Sequence, residues 1–345
     1  MRAAGSLLST GLAGVFALAV ALAGIGATAT AVSAATPIPK HVFSPYVQTY
    51  RSDSISTIAH QSGARYFSLA FLESLGTSSC KLAWGGESSR QVGSGAYASD
   101  IATLRGMGGD VTPSLGGYSA DHDGREIADS CNDVNKIAAA YEGVITTYDV
   151  SRLDLDVEDN SLSNTAGINR RNKAIRIVQA WASAHNRPLK ISFTLPTSRG
   201  GLDSDGLAVL QNAVSNGVRI DIVQPMVFDY YDGLKADMGS SAISALKGVH
   251  SQLATLLPGK TSAQLWAMEG ATIMNGRDDH PGTSETTTVS DARHLLKFAK
   301  SKGLAVLSMW AIQRDNGACP GTSGADSCSG IAQSTWAFTH ALKGF

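Results

Sequence analysis

The 345-residue chain balances 28 Lys and Arg against 29 Asp and Glu and contains no run of basic residues, so nucleic-acid binding has no electrostatic footing. Its four cysteines show no CxxC spacing and no His-x-x-x-His pair accompanies them; a structural zinc site is thereby disfavoured, and neither metal nor cofactor is expected.

From the N-terminus, Arg2 precedes an apolar stretch over residues 12–25 and then small residues up to Ala34 and Ala35. That order predicts a secretory signal peptide over 1–35, with a secreted, extracellular mature protein starting near Thr36. No later run of about 18 apolar residues asks for a bilayer, so no membrane association is expected after cleavage. The remaining residues, about 310, carry no Pro-rich or Ser/Gly-rich linker and read as one domain, 36–345, with no hint of an oligomer, hence a monomer.

Strand patterns fall at residues 42–46, 66–72, 111–115, 152–158, 189–195, 220–228, 264–269 and 305–310. Helical patterns lie between them at 99–107, 134–141, 169–185, 206–216, 242–256 and 289–302, with a last one at 331–342. Eight strand-helix units predict a (β/α)8 TIM barrel of the α/β class, whose chemistry sits at the C-terminal ends of the strands. A doubly wound open sheet would want a Gly-rich phosphate loop after the first strand, and Ser44-Pro45-Tyr46 is not one. In an exported chain the cysteines predict two disulfides; short-loop closure favours Cys319 with Cys328, which leaves Cys80 with Cys131.

The most informative segment is Leu153-Asp154-Leu155-Asp156-Val157-Glu158. Alternate side chains of a strand point to opposite faces, so the three acids share the barrel interior while the apolar residues face the helices. Successive acids lie about 7 Å apart at a rise of about 3.3 Å per residue, close enough to couple their charges. They cannot all ionise freely in a partly desolvated cavity, and a carboxyl that keeps its proton near neutral pH is what a general acid requires. A solvent-facing acidic strand would be poor sheet chemistry, and an EF-hand-like calcium loop has no apolar alternate face.

This segment resembles the active-site strand of the family 18 glycoside hydrolases, the chitinase family, whose pattern is Asp-x-x-Asp-x-Asp-x-Glu. Ser151 stands where the first acid of the pattern would be, and Arg152 replaces the Gly beside it. Ser114-Leu115-Gly116-Gly117 is similar to the family's third-strand Ser-x-Gly-Gly, and Gln224-Pro225-Met226-Val227-Phe228-Asp229-Tyr230 to its sixth-strand Met-x-Tyr-Asp segment. Trp310 matches its eighth-strand Trp under the cleaved sugar.

The resemblance implies a retaining, substrate-assisted hydrolysis of chitin or chitooligosaccharides. In it Glu158 protonates the glycosidic oxygen, the substrate's acetamide oxygen attacks, Asp156 stabilises the oxazolinium and Asp154 holds the proton that lets Asp156 turn. Cellulose and starch, lacking the acetamide, are not expected to be cut. Trp310, Asp229, Met226, Gln224, Gly116 and Gly117 are implied substrate contacts; Tyr46, Phe71 and Trp84 are positional candidates for the cleft. The family commonly has Tyr where Phe228 stands, and Tyr230, two residues on, is the candidate to supply the hydroxyl. The segment over 272–288 is too short for the extra domain of some members, which predicts an open cleft and endo-type cutting; no carbohydrate-binding module is apparent, so grip on insoluble chitin is expected to be weak. An endo-β-N-acetylglucosaminidase acting on N-glycans is the alternative substrate reading. A catalytically weak glycan-binding protein is disfavoured by the presence of Glu158, and a metal-dependent deacetylase by the lack of a His/Asp cluster.

Overall fold

The structure, a computed structural model, describes residues 37–278, 285–323 and 325–345. The expected signal peptide over 1–35 and the expected start at Thr36 lie outside the described residues. In chain order the elements are β1 (Val42–Phe43), β2 (Tyr46–Gln48), α1 (Ile55–Ser62), β3 (Tyr66–Ser74), β4 (Leu82–Trp84), α2 (Ala98–Gly106), β5 (Asp110–Gly116), α3 (Tyr118–His122), α4 (Ile127–Ser130), α5 (Val134–Tyr148) and β6 (Arg152–Asp156). They continue with α6 (Asp159–Ser163), α7 (Thr165–Ala184), β7 (Lys190–Ser198), β8 (Gly201–Leu202), α8 (Ser204–Ser215), β9 (Ile222–Met226), α9 (Met238–Leu256), α10 (Ser262–Trp266) and β10 (Gly270–Met274). The last are β11 (Gly276–Arg277), β12 (Thr286–Thr287), α11 (Val289–Lys302), β13 (Val306–Trp310) and α12 (Ala337–Leu342).

Parallel neighbours run β1, β13, β10, β9, β7, β6, β5, β3, β2. The two ends of that order are halves of one strand, because only Ser44 and Pro45 separate β1 from β2. Pro45 has no N–H to give the ladder, yet its carbonyl accepts from Ser68 N at 3.0 Å while Ser44 N donates to Leu307 O at 2.8 Å. The interrupted strand therefore bridges β13 to β3 and closes the sheet as the expected (β/α)8 barrel. Leu153, Leu155 and Val157 are buried in the main apolar cluster with Ile137 of α5 and Ile175 and Val178 of α7. Each fully buried aliphatic side chain of this kind is worth about 1.5–3 kcal/mol relative to exposure.

Helix starts are set by local chemistry. Thr288 and Asp291 form a capping box at α11, which ends at Gly303 with φ 72°. Thr261 and Gln264 form a second box, and it overturns the strand expected over 264–269: those residues begin as α10, and the strand is Gly270–Met274. A Cβ at Gly270 would sit 3.2 Å from both Gln224 Cγ and Val306 Cβ, so glycine lets β10 fit between its neighbours. The helix expected over 331–342 is only Ala337–Leu342. Its lead-in is held instead by Asp315, whose main-chain oxygen accepts from Trp336 N and whose carboxylate accepts from Phe338 N and Thr339 N.

Both expected disulfides are present, Cys80–Cys131 and Cys319–Cys328. Between β10 and α11 the described residues form only a short antiparallel ribbon, β11 with β12. Among the described residues, no helix is long and apolar enough to cross a membrane.

Candidate active site

At the C-terminal mouth of the barrel lies a cleft of about 810 Å³, lined by Tyr46, Phe71, Gly116, Asp156, Glu158, Thr194, Met226, Phe228, Asp229, Thr272, Met274 and Trp310 among others. Register explains the grouping. Gly116 pairs with Asp156, Asp156 with Thr194, and Met274 with Trp310, so residues from distant parts of the sequence reach the same level of the barrel.

Asp154 lies one layer below the mouth, buried, and accepts hydrogen bonds from four hydroxyls. Tyr46 and Ser114 reach Oδ2 at 2.8 and 2.7 Å; Thr194 at 2.9 Å and Ser192 reach Oδ1. Beneath it the Arg152 guanidinium faces the interior, pulled down to about 10 by burial while Asp154 and Asp221 favour its charge. Arg152, where the family pattern has Gly, thus provides a cation under the acid ladder. Ser151 enters β6 from the opposite end and gives its carbonyl to Lys190 N, so that departure from the pattern does not touch the cleft.

Asp156 is buried and its Oδ1 has no hydrogen-bond partner. Burial first, then Glu158, Asp154 and Asp121, push its carboxyl well above the usual range. Glu158 stands two residues beyond β6's last ladder residue, half-buried, where the chain turns into α6. Its amide donates to Asp121 Oδ2 at 2.6 Å.

The glycine pair ending β5 makes this approach possible. A Cβ on Gly116 would lie 2.1 Å from the Asp156 carbonyl, and one on Gly117 would lie 2.5 Å from the Phe71 ring; both have positive φ, 98° and 82°. Gly117 itself backs Phe71 rather than lining the cleft. The floor is aromatic: Phe71 and Trp310 stack at 5.5 Å and 14°, with Tyr46 tilted against both. A flat apolar surface of this kind suits the apolar face of a sugar ring.

Besides Gly117, three sequence-based expectations are corrected. Trp84 is not in the cleft; it lies on β4, wholly buried, donating to Tyr148 OH at 2.8 Å between Tyr97 and Tyr148. Gln224 lies beneath the floor, giving Nε2 to Thr272 Oγ1 at 2.8 Å. Tyr230 points away, its ring 4.4 Å under the Arg199 guanidinium and its hydroxyl buried without a partner. Strand alternation counted from Met226 fails for Tyr230 because β9 ends at Met226 and Asp229 adopts φ 50°.

Asp229 does line the cleft. Its amide donates to Asp278 Oδ2 at 2.9 Å, and Tyr230 N donates to Glu285 Oε2 at 3.1 Å. Burial, then Asp229 and Glu285, push Asp278 up to about 9. Glu285 pairs with Arg199 at 3.3 Å.

Sequence reasoning missed Asp121, Tyr50, Tyr118 and Tyr231. The three tyrosines are 45%, 59% and 63% exposed, and all line the cleft. Tyr118 and Asp121 directly follow the Gly116-Gly117 pair, which was a usable signal: a segment leaving an identified strand end must border the mouth. Tyr50 and Tyr231 follow strand ends in the same way. Among the described residues no group of three or more His, Cys, Asp and Glu is arranged to hold a metal.

No protein-family model matches the chain. Curated relatives do. One is a probable bifunctional chitinase/lysozyme of Escherichia coli K12, 32% identical over 287 residues, covering 80% of this chain and 31% of that protein. Another is endochitinase 11 of Metarhizium anisopliae, 32% identical over 288 residues, covering 80% and 53%. The chain thus spans about a third to a half of the length of these relatives. Among solved structures, catalytic-site mutants of active domain 2 of the thermostable chitinase of Pyrococcus furiosus, complexed with chito-oligosaccharides, superpose with a TM-score of 0.77 at 28% identity, covering 89% of this chain and 95% of that one.

Proposed function

Since the chain belongs to glycoside hydrolase family 18, the chitinase family, we propose that it is a secreted chitinase that cuts the β-1,4 bonds of N-acetylglucosamine polymers with retention of configuration. The observation that carries this reading is the placement of Asp154, Asp156 and Glu158 at rising levels of one barrel strand, opening on a cleft floored by Trp310 and Phe71.

In this mechanism Glu158, at the rim, protonates the glycosidic oxygen. The substrate's acetamide oxygen attacks the sugar carbon, and Glu158 then takes a proton from the incoming water. Asp156 orients the acetamide and offsets the charge of the oxazolinium. The hydrogen-bond pattern favours a division of protons different from the one the family resemblance implies. Asp154 has both oxygens occupied by hydroxyl donors and Arg152 beneath it. The buried Asp156, with an unpartnered Oδ1 and acids on either side, is the better seat for the stored proton. Asp156 keeps that proton and shares it by hydrogen bond, with Glu158 in one step and with the acetamide in the other.

Phe228 puts an apolar ring where many relatives have a phenol, and with Tyr230 turned away, the neighbouring Tyr231 on the cleft side takes the role of hydroxyl donor. Among the described residues only a short ribbon lies between β10 and α11, and the open cleft supports cuts within a chain. Two disulfides and the N-terminal apolar stretch support export.

The test is hydrolysis of colloidal chitin and of chitooligosaccharides by the wild type and Glu158→Gln. Loss of cleavage with retained sugar binding supports the reading. Binding without cleavage by the wild type would make the protein a glycan binder, and indifference to these sugars with release of N-glycans would make it an endo-β-N-acetylglucosaminidase.

A further inference from the structure

Asp121 belongs to none of the acid motifs, yet it touches the main chain of the rim acid. It lies on α3, has no solvent exposure, and its Oδ2 accepts the Glu158 amide at 2.6 Å while its Oδ1 has no hydrogen-bond partner. The last ladder bond of this segment is Val157 N to Thr194 O at 3.0 Å. Beyond it Asp159 turns with φ 39°. The Asp121 contact is therefore the hydrogen bond that fixes the amide of the residue carrying the acid.

We propose that Asp121 is a positioning residue for the general acid: it pins the Glu158 main chain, and its buried negative charge holds the proton on Glu158. This rests on the reading of Glu158 as the acid. The groups facing Asp121 are Glu126 before α4, Arg171 of α7, Tyr141 of α5, and Asp156 and Glu158 from β6 and its exit. Glu126 and Arg171 form a buried ion pair at 3.0 Å and act on Asp121 in opposite directions, Glu126 the more strongly. What remains is a set of three carboxyls, Asp121, Asp156 and Glu158, in one poorly hydrated space. They cannot all ionise cheaply, and burial with Glu126 and Glu158 nearby pushes Asp121 up. Against that push, the Arg171 guanidinium and the Glu158 amide favour the charged form of Asp121, and Glu158 opens on the cleft.

The experiment is the pH dependence of kcat and KM on a soluble chitooligosaccharide for wild type, Asp121→Asn, Asp121→Ala and Glu158→Gln. Asp121→Asn keeps an acceptor for the amide and removes the charge. Its alkaline limb of kcat/KM is expected about one pH unit lower, the size of a like-charge coupling at this range, with kcat at the optimum reduced less than tenfold and KM within about twofold. Asp121→Ala, which also frees the amide, is expected to lose more than tenfold further in kcat. An unmoved limb in Asp121→Asn overturns the proposal. Should neither variant fold, carboxyl carbon NMR of the wild type decides: Asp121 must lose its proton at a lower pH than Glu158, and the reverse order overturns the proposal. If Glu158→Gln cleaves as well as wild type, the reading of the acid itself has failed, whatever Asp121 does.

Discussion

Two acids reach the cleft just after their strands end, Glu158 beyond β6 and Asp229 beyond β9, and each gives its amide to a buried aspartate from a neighbouring segment. Behind the first, Asp121 faces the ion pair of Glu126 and Arg171. Behind the second, Asp278 faces Glu285, itself bound to Arg199, and is pushed up to about 9. On the proposal above, the same main-chain device serves two ends: Asp121 acts on its acid through charge as well as through the hydrogen bond, whereas Asp278, pushed up to about 9, supports Asp229 through the hydrogen bond.

The sharpest way to break this comparison is to neutralise the two cleft acids in turn. Glu158→Gln is expected to lower kcat by about 10²–10⁴-fold, the usual worth of a general acid, whereas Asp229→Asn acts mostly through KM; equal kcat losses would erase the distinction. Next in size is the floor between them: Trp310→Ala should raise KM about tenfold, near the upper value of an aromatic contact of roughly 1.5 kcal/mol. The supports then separate cleanly. Asp278→Asn replaces a carboxyl already neutral at pH 7 by a neutral isostere, so kcat/KM at pH 7 should stay within about threefold and the alkaline limb set by Glu158 should not move. A shift like that expected for Asp121→Asn would show that both supports act alike.

The smallest effect concerns stability, at a buried acid outside the cleft. Glu269 touches His250 at 2.8 Å and is pushed up from 4.5 to about 9 by burial, so the folded chain keeps a proton that the unfolded chain loses. Because the folded state binds more protons, this group's contribution is most favourable below about pH 4.5 and is lost progressively up to about pH 9. Melting temperature should fall over that window, and Glu269→Gln should flatten the fall. An unchanged slope would count against a neutral Glu269.

What the sequence made legible was periodic. The acids at 154, 156 and 158 declared their face because each is separated by an apolar residue, and the strand-helix repeat gave the barrel. The cysteine pairing followed from loop length alone. What stayed hidden depended on where a period stops. Tyr230 was assigned to the cleft by carrying the alternation of β9 past its end at Met226. Trp84 belongs to β4, a short antiparallel strand added beside β3, whose side chains answer to the core behind the barrel. Residues 264–266 look apolar enough for a strand, and only the capping pair Thr261 and Gln264 reveals the helix. Asp121 is one acid on one short helix, with no pattern to mark it; its role comes from what the third and fourth barrel strands, β5 and β6, bring side by side.

The split first strand has a consequence for how the chain matures. Because β1 and β2 join β13 to β3, a growing chain exposes two unpaired sheet edges until residue 310 has been made, and such edges template aggregation. Folding of the ring should therefore be late and concerted, and chains stopped before β13 should be the species that chaperones must hold or proteases remove.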